Sequence, residues 1–189
     1  MNDDPNVLPD DLPVPMDDGA ADHLSGRMLP DIALDCTSGG AVRLAGLPGR
    51  TVVYAYPKTG VPGRALPTSD WNLIPGARGC TPQSCAFRDH FAELLRAGAS
   101  QVFGLSTQDT TYQQEVANRL HLPFALLSDA GLKLTQALRL PTFTKDGEVF
   151  LRRLTMIVRD GRIEHVIYPV FPPDRNAADV LTWLRANPA

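Results

Sequence analysis

Apolar residues in this chain follow two kinds of spacing, and these predict its strands and helices. Short unbroken apolar runs are typical of strands buried on both faces of a sheet, and they lie at 51–57, 100–107 and 124–129. Other segments place apolar residues on one helical face, and they lie at 79–97, 110–121, 130–140 and 176–187. The chain therefore alternates strands and helices along most of its length.

Two predicted hairpins complete the pattern. One has a Gly-Gly turn within residues 31–47, and the other has an Asp-Gly turn within residues 151–170. The elements then follow the order β-β-β-α-β-α-β-α-β-β-α. Alternating strands and helices predict parallel strands, and the late hairpin adds antiparallel ones. We expect an α/β fold with a central mixed β-sheet, helices on both faces and an N-terminal hairpin.

A long loop rich in glycine and proline, 58–76, connects the strand 51–57 to the helix 79–97. Loops of this length inside a compact domain are often functional. In open α/β sheets, ligands bind at the carboxyl ends of the strands. The N-terminus of the helix 79–97 is therefore the predicted position of a functional site.

Length and composition predict one compact domain with an extension. The chain has 189 residues, of which 43% are apolar and 21% charged, and this suits a single core with a soluble surface. No apolar run approaches the roughly 20 residues that span a bilayer, and the start Met-Asn-Asp-Asp is unlike a signal peptide. We expect no membrane association.

Negative charge is concentrated at the N-terminus. Residues 1–26 hold seven aspartates and neither lysine nor arginine, so a net charge of −3 leaves +4 on the rest of the chain, −3 minus −7. Such a composition buries too little apolar surface to offset chain entropy. We expect an acidic, proline-rich, mobile tail over 1–27 and a single domain over 28–189. The positive charge of the domain is dispersed, so nucleic-acid binding has no support.

Two of the three cysteines, Cys80 and Cys85, lie at the start of the helix 79–97. So few cysteines indicate a reducing, cytoplasmic location, where a close pair is more often catalytic or metal-binding than structural. The sulfur of Cys80 is expected near free backbone N–H groups and the positive end of the helix dipole, with Arg78 and Arg88 nearby. These surroundings lower a thiol pKa from about 8.5, and the thiolate is the nucleophile in peroxide chemistry and disulfide exchange.

The spacing of this pair has a conformational consequence. Five positions along an α-helix advance about 7.5 Å and turn about 140°, which places the two Cα atoms roughly 8–9 Å apart. A disulfide needs Cα atoms within about 7 Å. Cys80 and Cys85 can therefore bond only if the first turns of the helix unwind, and this suits a pair that cycles between two redox states.

Other interpretations of the cysteines have less support. A zinc site usually combines two clusters of Cys or His, whereas only His90, more simply a helix-surface residue, lies near this pair. The Cys-x-x-Cys motif of thioredoxin oxidoreductases is absent. Core packing by Cys85 stays open because free cysteine is often buried. Cys36 lies far from the helix in sequence and is interpreted as structural.

The segments "YAYPK" and "GCTPQSCAFRD" resemble the active-site region of the peroxiredoxins, especially the bacterioferritin-comigratory or Q-type subfamily. The similarity continues through "QVFGLSTQD", "LPFALLSDAG" and "LTMIVRDGRIEHV" and covers roughly residues 29–187. It implies a thioredoxin-like, three-layer fold. It also implies a peroxidase that reduces hydrogen peroxide or small organic hydroperoxides through thiols, without a cofactor or metal ion.

By this resemblance, Cys80 is the peroxidatic cysteine, whose thiolate attacks the peroxide and becomes a sulfenic acid. Cys85 is the resolving cysteine, and a thioredoxin-type protein reduces the resulting intramolecular disulfide. Arg153 is the best match to the arginine that the family places beside the thiolate, where a guanidinium stabilises charge on the leaving oxygen. An exposed strand position for Arg153 is the alternative. An intramolecular resolving thiol needs no second subunit, so we expect a monomer.

The chain departs from the family pattern just before Cys80. The family has a hydroxyl residue three positions before this cysteine and a proline seven before, whereas Ala77 and Leu73 stand there. Pro57 matches the family proline, but it lies 23 positions before Cys80, which implies an insertion of 16 residues (23 minus 7) within 58–79. The contacts with substrate are therefore expected to differ from the family pattern.

The missing hydroxyl must come from another residue or be absent. Thr59 is the nearest match, directly after Pro57-Lys58, and the weaker candidates are Thr68, Ser69 and Thr81. We expect the insertion to form a flap over the site, with Trp71 and Ile74 packed inward. Gln83 stands where many peroxiredoxins carry an acid, and it is assigned no role.

Two further classes of function stay open. A thioredoxin-fold redox sensor or holdase would use the Cys80–Cys85 disulfide as a switch and would not need the Arg153 pocket. A structural domain, in which the cysteines only pack, would be indifferent to their replacement.

Overall fold

The computed structural model describes residues 7–9, 11–62 and 70–188. The strands in these ranges are β1 (Ala33–Cys36), β2 (Ala41–Arg43), β3 (Arg50–Ala55), β4 (Gln101–Ser106), β5 (Leu126–Ser128), β6 (Thr142–Lys145), β7 (Glu148–Leu151), β8 (Leu154–Arg159) and β9 (Arg162–Ile167). The α-helices are α1 (Cys80–Asp89), α2 (Phe91–Arg96), α3 (Thr110–Arg119), α4 (Lys133–Leu138) and α5 (Asn176–Ala186). No helix in these ranges has the length and apolar character required to cross a bilayer.

Seven of the strands form one mixed sheet in the order β2-β1-β5-β4-β3-β8-β9. Strands β3, β4 and β5 run parallel to their neighbours in this group, as expected when helices connect them. Strands β1 and β8 run antiparallel to β5 and β3, and the hairpins β1–β2 and β8–β9 close the two edges. The predicted mixed sheet and N-terminal hairpin are confirmed.

The core lies on both faces of this sheet because successive strand residues point to opposite sides. On one face, Val53 of β3 packs in a cluster that includes Leu134 of α4. On the other face, Val52 packs in a cluster with Phe87 of α1 and Val180 of α5. Helices thus cover both faces, and the predicted three-layer α/β arrangement is confirmed.

Part of the predicted N-terminal tail packs against the domain. Ala21 and Leu24 are buried in the cluster on the α4 face. The backbone N–H of Gly26 donates to the carbonyl of Ile163, at 2.8 Å, and His23 Nε2 lies 2.8 Å from the carbonyl oxygen of Leu138. The predicted boundary at residue 27 therefore lies too far along the chain. The acidic composition of residues 1–26 as a whole predicted a mobile tail, although the few apolar residues near its C-terminal end pack against the core.

The predicted helix 79–97 is divided at His90 into α1 and α2. This break lets the two helices use different aromatic partners. Phe87 of α1 stacks on Tyr54 of β3 at 4.2 Å, whereas Phe91 of α2 packs on Phe124 at 5.7 Å. The helical periodicity continues across residue 90, so it did not reveal the break.

The hairpin β6–β7 was missed in the sequence, although its turn is recognisable. Asp146 and Gly147 have φ of 50° and 80°, as a tight turn between antiparallel strands requires. These strands form a separate two-stranded sheet beside the main one. The hairpin supplies Phe143 and Phe150, which contact the insertion described below.

Candidate active site

Cys80 is the first residue of α1, and it directly follows a tight turn at Gly79. Gly79 has φ 100° and ψ 20°, a left-handed conformation that L-residues rarely adopt. A Cβ atom at this position would lie 2.4 Å from Cγ of Pro173 and 2.8 Å from Cδ1 of Leu8. Glycine therefore allows both the turn and the close packing of other chain segments against the start of α1.

Arg153 lies directly before β8 and reaches the sulfur of Cys80. Its Nη2 donates to Cys80 Sγ at 3.3 Å, and also to the carbonyl oxygens of Gly76 at 3.2 Å and Arg78 at 3.1 Å. The Arg153 side chain is 3% exposed, so its alternative placement on an exposed strand face is wrong. A single guanidinium thus holds both the turn before Cys80 and the sulfur itself.

A buried network of neutral groups supports this arginine. Arg153 Nη1 donates to Oε1 of Gln83, which is one helical turn after Cys80. Gln83 Nε2 donates to Oδ1 of Asn176 at 2.8 Å, and Thr155 Oγ1 donates to the same oxygen at 2.7 Å. The hydrogen-bond acceptors of Arg153 within the described residues are carbonyl oxygens, an amide oxygen and a sulfur. Its positive charge therefore faces Cys80 without a competing carboxylate among them.

Sequence reasoning missed three members of this network. Gln83 was named without a role, although its spacing of three from Cys80 places both on one helical face. Thr155 lies two positions after Arg153 and so extends from the same side of the chain. Asn176 carried no signal, because only the tertiary packing of α5 on α1 brings it to the site.

Cys85 has different surroundings, although it lies on the same helix. It is half-buried, and all three cysteines are free. Burial raises the pKa of the Cys85 thiol, and the Arg88 guanidinium partly opposes that increase. Core packing does not account for Cys85 fully, because part of its surface stays open to solvent.

Tyr54 of β3 braces the helix between the two cysteines. Its hydroxyl donates to Ser84 Oγ at 3.0 Å, and its ring stacks on Phe87. Burial raises the pKa of Tyr54 well above its ordinary value, so the phenol is neutral and remains a donor. The middle of α1 is thus attached to the central sheet.

The predicted replacements for the family hydroxyl have different positions. Thr59 is buried, and both its backbone N–H and its Oγ1 donate to Gln108 Oε1, at 3.0 and 3.1 Å. Thr81 is also buried, directly follows Cys80, and its Oγ1 has no hydrogen-bond partner among the described residues. Thr68 and Ser69 lie outside the described residues.

The described part of the insertion packs against the β6–β7 hairpin. Trp71 is 2% exposed and contacts Phe150 edge-on at 5.1 Å, and Ala77 belongs to the same cluster. Ile74 packs against this cluster. The expected inward packing of Trp71 and Ile74 therefore agrees with the structure, whereas a role as a flap stays a prediction.

The remaining candidate residues lie apart from this site. Cys36 is buried in β1 with its Sγ 3.1 Å from Ser38 Oγ, in keeping with a structural role. His90 pairs with Glu93 at 3.4 Å at the α1–α2 junction. Within the described ranges, no group of three or more His, Cys, Asp or Glu side chains is arranged to hold a metal ion.

This sequence matches a family model and several known proteins. The redoxin family model matches residues 24–181. Chloroplastic peroxiredoxin Q of Arabidopsis thaliana is 30% identical over 166 residues, covering 85% of this chain and 67% of the relative. Chloroplastic peroxiredoxin Q of Oryza sativa subsp. japonica is 30% identical over 162 residues, covering 85% of this chain. The present chain spans 66% of the length of that rice relative.

Solved structures agree with this similarity. Peroxidoxin BcpB from Mycobacterium tuberculosis superposes with a TM-score of 0.69 at 25% identity, covering 87% of this chain and 98% of the other. A cysteine-to-serine mutant of Xylella fastidiosa PrxQ has a TM-score of 0.68 at 20% identity, covering 86% and 95%, and this supports the fold alone. Together with the thioredoxin-like architecture, these matches place the chain in the redoxin family, among the Q-type peroxiredoxins.

Proposed function

We propose that this protein is a thiol peroxidase that reduces hydrogen peroxide and small organic hydroperoxides. The proposal depends chiefly on one contact, the 3.3 Å between Nη2 of Arg153 and Sγ of Cys80 at the start of α1. A cysteine used only for packing needs no guanidinium at its sulfur. A nucleophilic thiolate is stabilised by one, because the planar cation favours the sulfur anion and the charge on a leaving oxygen.

In the first step, the Cys80 thiolate attacks one oxygen of the peroxide and the O–O bond breaks. The sulfur is oxidised to a sulfenic acid, and the departing oxygen takes a proton and leaves as water or an alcohol. Arg153 can donate to the sulfur and to the oxygen that gains charge. The buried Thr81 hydroxyl, which directly follows Cys80, is our candidate for a further contact to the peroxide.

In the second step, the sulfur of Cys85 attacks the sulfur of Cys80. A disulfide forms, and the sulfenic oxygen leaves as water after taking a proton. Both residues lie in α1, where the helical spacing keeps their Cα atoms roughly 8–9 Å apart. The first turns of α1 must therefore unwind, and a thioredoxin-type dithiol protein then reduces the disulfide and allows the helix to form again.

A redox sensor or holdase would form the same disulfide. The peroxidase is favoured because the Arg153 guanidinium is directed at the sulfur and held by a buried network. A switch needs the disulfide but not this pocket. We further propose that the protein is a monomer, since the resolving thiol belongs to the same chain. We also propose a reducing, cytoplasmic location, since the chain has only three cysteines.

The test is peroxide consumption coupled to thioredoxin, thioredoxin reductase and NADPH, together with non-reducing mass analysis. We expect Cys80→Ser to consume no peroxide. Cys85→Ser should consume about one equivalent, form the sulfenic acid and then stop. Cys36→Ala is the matched control and should turn over like the wild type.

Three outcomes would contradict the proposal. Turnover by Cys80→Ser would remove the assigned nucleophile. Repeated turnover by Cys85→Ser would transfer the resolving role to Cys36 or to another subunit. Efficient disulfide formation without net peroxide turnover under the same assay would favour the redox switch. Light scattering of the reduced and oxidised protein tests the monomer separately.

A further inference from the structure

We propose that Asn176 is a positioning residue of the peroxidatic site and acts on Arg153 through Gln83. The inference deepens the proposed function and rests on it. Asn176 lies at the start of α5, far in sequence from Cys80, and it touches neither the sulfur nor the arginine in any contact described above. Its role follows from the direction of the hydrogen bonds in the buried network.

The side-chain oxygen of Asn176 makes the hydrogen bonds of this residue to the network. Its Oδ1 accepts two hydrogen bonds, from Gln83 Nε2 at 2.8 Å and from Thr155 Oγ1 at 2.7 Å. Its Nδ2 is buried and has no hydrogen-bond partner among the described residues. All three residues are completely buried, so water does not readily replace either bond.

The orientation of the Gln83 amide decides whether Arg153 faces its oxygen or its nitrogen. A guanidinium only donates hydrogen bonds, so it needs the oxygen end of the amide and is repelled by the nitrogen end. Asn176 Oδ1 accepts only from the nitrogen end. It therefore holds Nε2 of Gln83 towards α5 and leaves Oε1 directed at Arg153.

Without an acceptor at position 176, this selection is lost. The Gln83 amide could turn over, and its nitrogen would then face the donors of Arg153. Alternatively, Nε2 would stay buried without a partner. The first change removes the contact between Arg153 and Gln83, and the second removes the bond that holds the Gln83 amide in place. Both allow the guanidinium to move away from Cys80 Sγ. Small displacements of a positioned group are costly for a reaction that depends on alignment.

The test compares Asn176→Leu with Thr155→Val. Leucine resembles asparagine in shape but offers no acceptor, so Gln83 loses its partner. Valine resembles threonine and removes the other donor to the same oxygen, so the Gln83–Asn176 bond remains. We expect Asn176→Leu to slow the single-turnover reaction of Cys80 with hydrogen peroxide by about 10- to 100-fold. Thr155→Val should slow the reaction less than Asn176→Leu does, since it removes one neutral hydrogen bond of the network but keeps the Gln83–Asn176 bond.

A second measurement separates positioning from general destabilisation. In a Cys36→Ser/Cys85→Ser background, ultraviolet absorbance follows ionisation of Cys80 with pH, without any peroxide. Asn176→Leu should move this midpoint upward because the guanidinium no longer faces the sulfur, and Thr155→Val should move it less. Asn176→Ala replaces the leucine variant if the latter does not fold.

The outcomes separate the two proposals. A folded Asn176→Leu protein with the midpoint and peroxide rate of the wild type overturns the positioning role. Equal shifts in Asn176→Leu and Thr155→Val also overturn it, because disturbance of the buried network would then explain both. A shifted midpoint in a protein that consumes no peroxide supports Asn176 and refutes the peroxidase.

Discussion

The two thiols of α1 occupy contrasting surroundings, although five positions separate them on one helix. Cys80 is 3% exposed, accepts a hydrogen bond from a buried guanidinium and lies beside a network of neutral polar groups. Cys85 is half-buried, and its nearby charges, Arg88 and Asp89, pair with each other at the surface. Burial raises the pKa of Cys85, and the nearby Arg88 offsets that increase only in part.

This contrast fits the proposed mechanism, in which two thiols of one helix react in succession. The contacts of Arg153 with Cys80 and Gln83 depend on the helical form of α1, because both residues lie in its first turn. In the proposed mechanism, Cys85 reacts once the helix unwinds. Stabilising the helix should thus favour the reaction with peroxide and oppose disulfide formation, and the following variants test each end.

Arg153→Ala should make the surroundings of Cys80 more like those of Cys85, because it removes the cation that contacts the Cys80 sulfur. We expect the rate constant for Cys80 with hydrogen peroxide to fall by about 10²- to 10³-fold, since preorganised donors of this kind contribute that much. Single-turnover fluorescence or competition with a reference peroxidase measures this rate. Circular dichroism must show that the variant is folded.

Arg153→Lys is the matched control for charge. Lysine keeps the cation but cannot donate in several fixed directions to Cys80, Gly76, Arg78 and Gln83. An intermediate rate is expected. A rate equal to that of the wild type would mean that charge alone suffices, and that the network geometry contributes nothing.

Gly79→Ala should destabilise the turn that positions Cys80, because it strains the backbone there. The left-handed φ costs about 1–2 kcal/mol for an L-residue, and the overlap with Pro173 adds about 1–3 kcal/mol. We expect the free energy of unfolding to fall by about 2–5 kcal/mol and the peroxide rate to fall with it. Denaturant unfolding measures the first quantity.

Gly131→Ala is the control for this loss. Gly131 does not have a left-handed φ, and the nearest atoms to an added Cβ are 3.9 Å away on the flexible Lys133 side chain. We expect a change within about 1 kcal/mol. Equal destabilisation by both alanines would show that the strained turn before Cys80 is unimportant.

At the Cys80 end, the sequence indicated the residues with local signals but not the residue that tertiary packing brings to the site. Cys80, Cys85 and Arg153 could be named as candidates because a helix start, a spacing and a family resemblance are visible in the sequence, and their catalytic roles stay predictions. Asn176 could not, because its hydrogen bond to Gln83 depends on how α5 packs against α1. No periodicity along either segment records that contact.

The fold had a similar division between local and tertiary information. The seven-stranded sheet followed from strand–helix alternation, and the Asp-Gly turn of β6–β7 was present but overlooked. The break at His90 and the packing of Leu24 depended on distant partners. Neither feature could therefore be predicted without the three-dimensional arrangement of the core.

Tyr54→Phe should loosen the brace between the two ends of α1. The variant loses the hydrogen bond to Ser84, which contributes about 1 kcal/mol to the helical state. Disulfide formation after a single peroxide equivalent should therefore accelerate by up to about fivefold, since unwinding becomes easier. Quenched-flow mass analysis measures the disulfide directly.

Ser84→Ala removes the other partner of the same bond and should give a similar acceleration. The double variant should add little to either single change, because the two residues share one interaction. Fully additive effects would mean that Tyr54 acts through its stacking on Phe87 and not through this hydrogen bond.

The smallest expected effects concern charge at the Cys85 end. Because burial raises the pKa of Cys85, little of it is thiolate at neutral pH, and disulfide formation should speed up as pH rises beyond the ordinary range of a thiol. Arg88→Gln removes a cation that lowers this pKa and should slow the step about twofold at a fixed pH. Asp89→Asn removes an anion that raises it and should produce about the opposite change. Rates measured across pH after one peroxide equivalent separate the two. Identical profiles in both variants would mean that Cys85 ionises only after unwinding, beyond the influence of its helical neighbours.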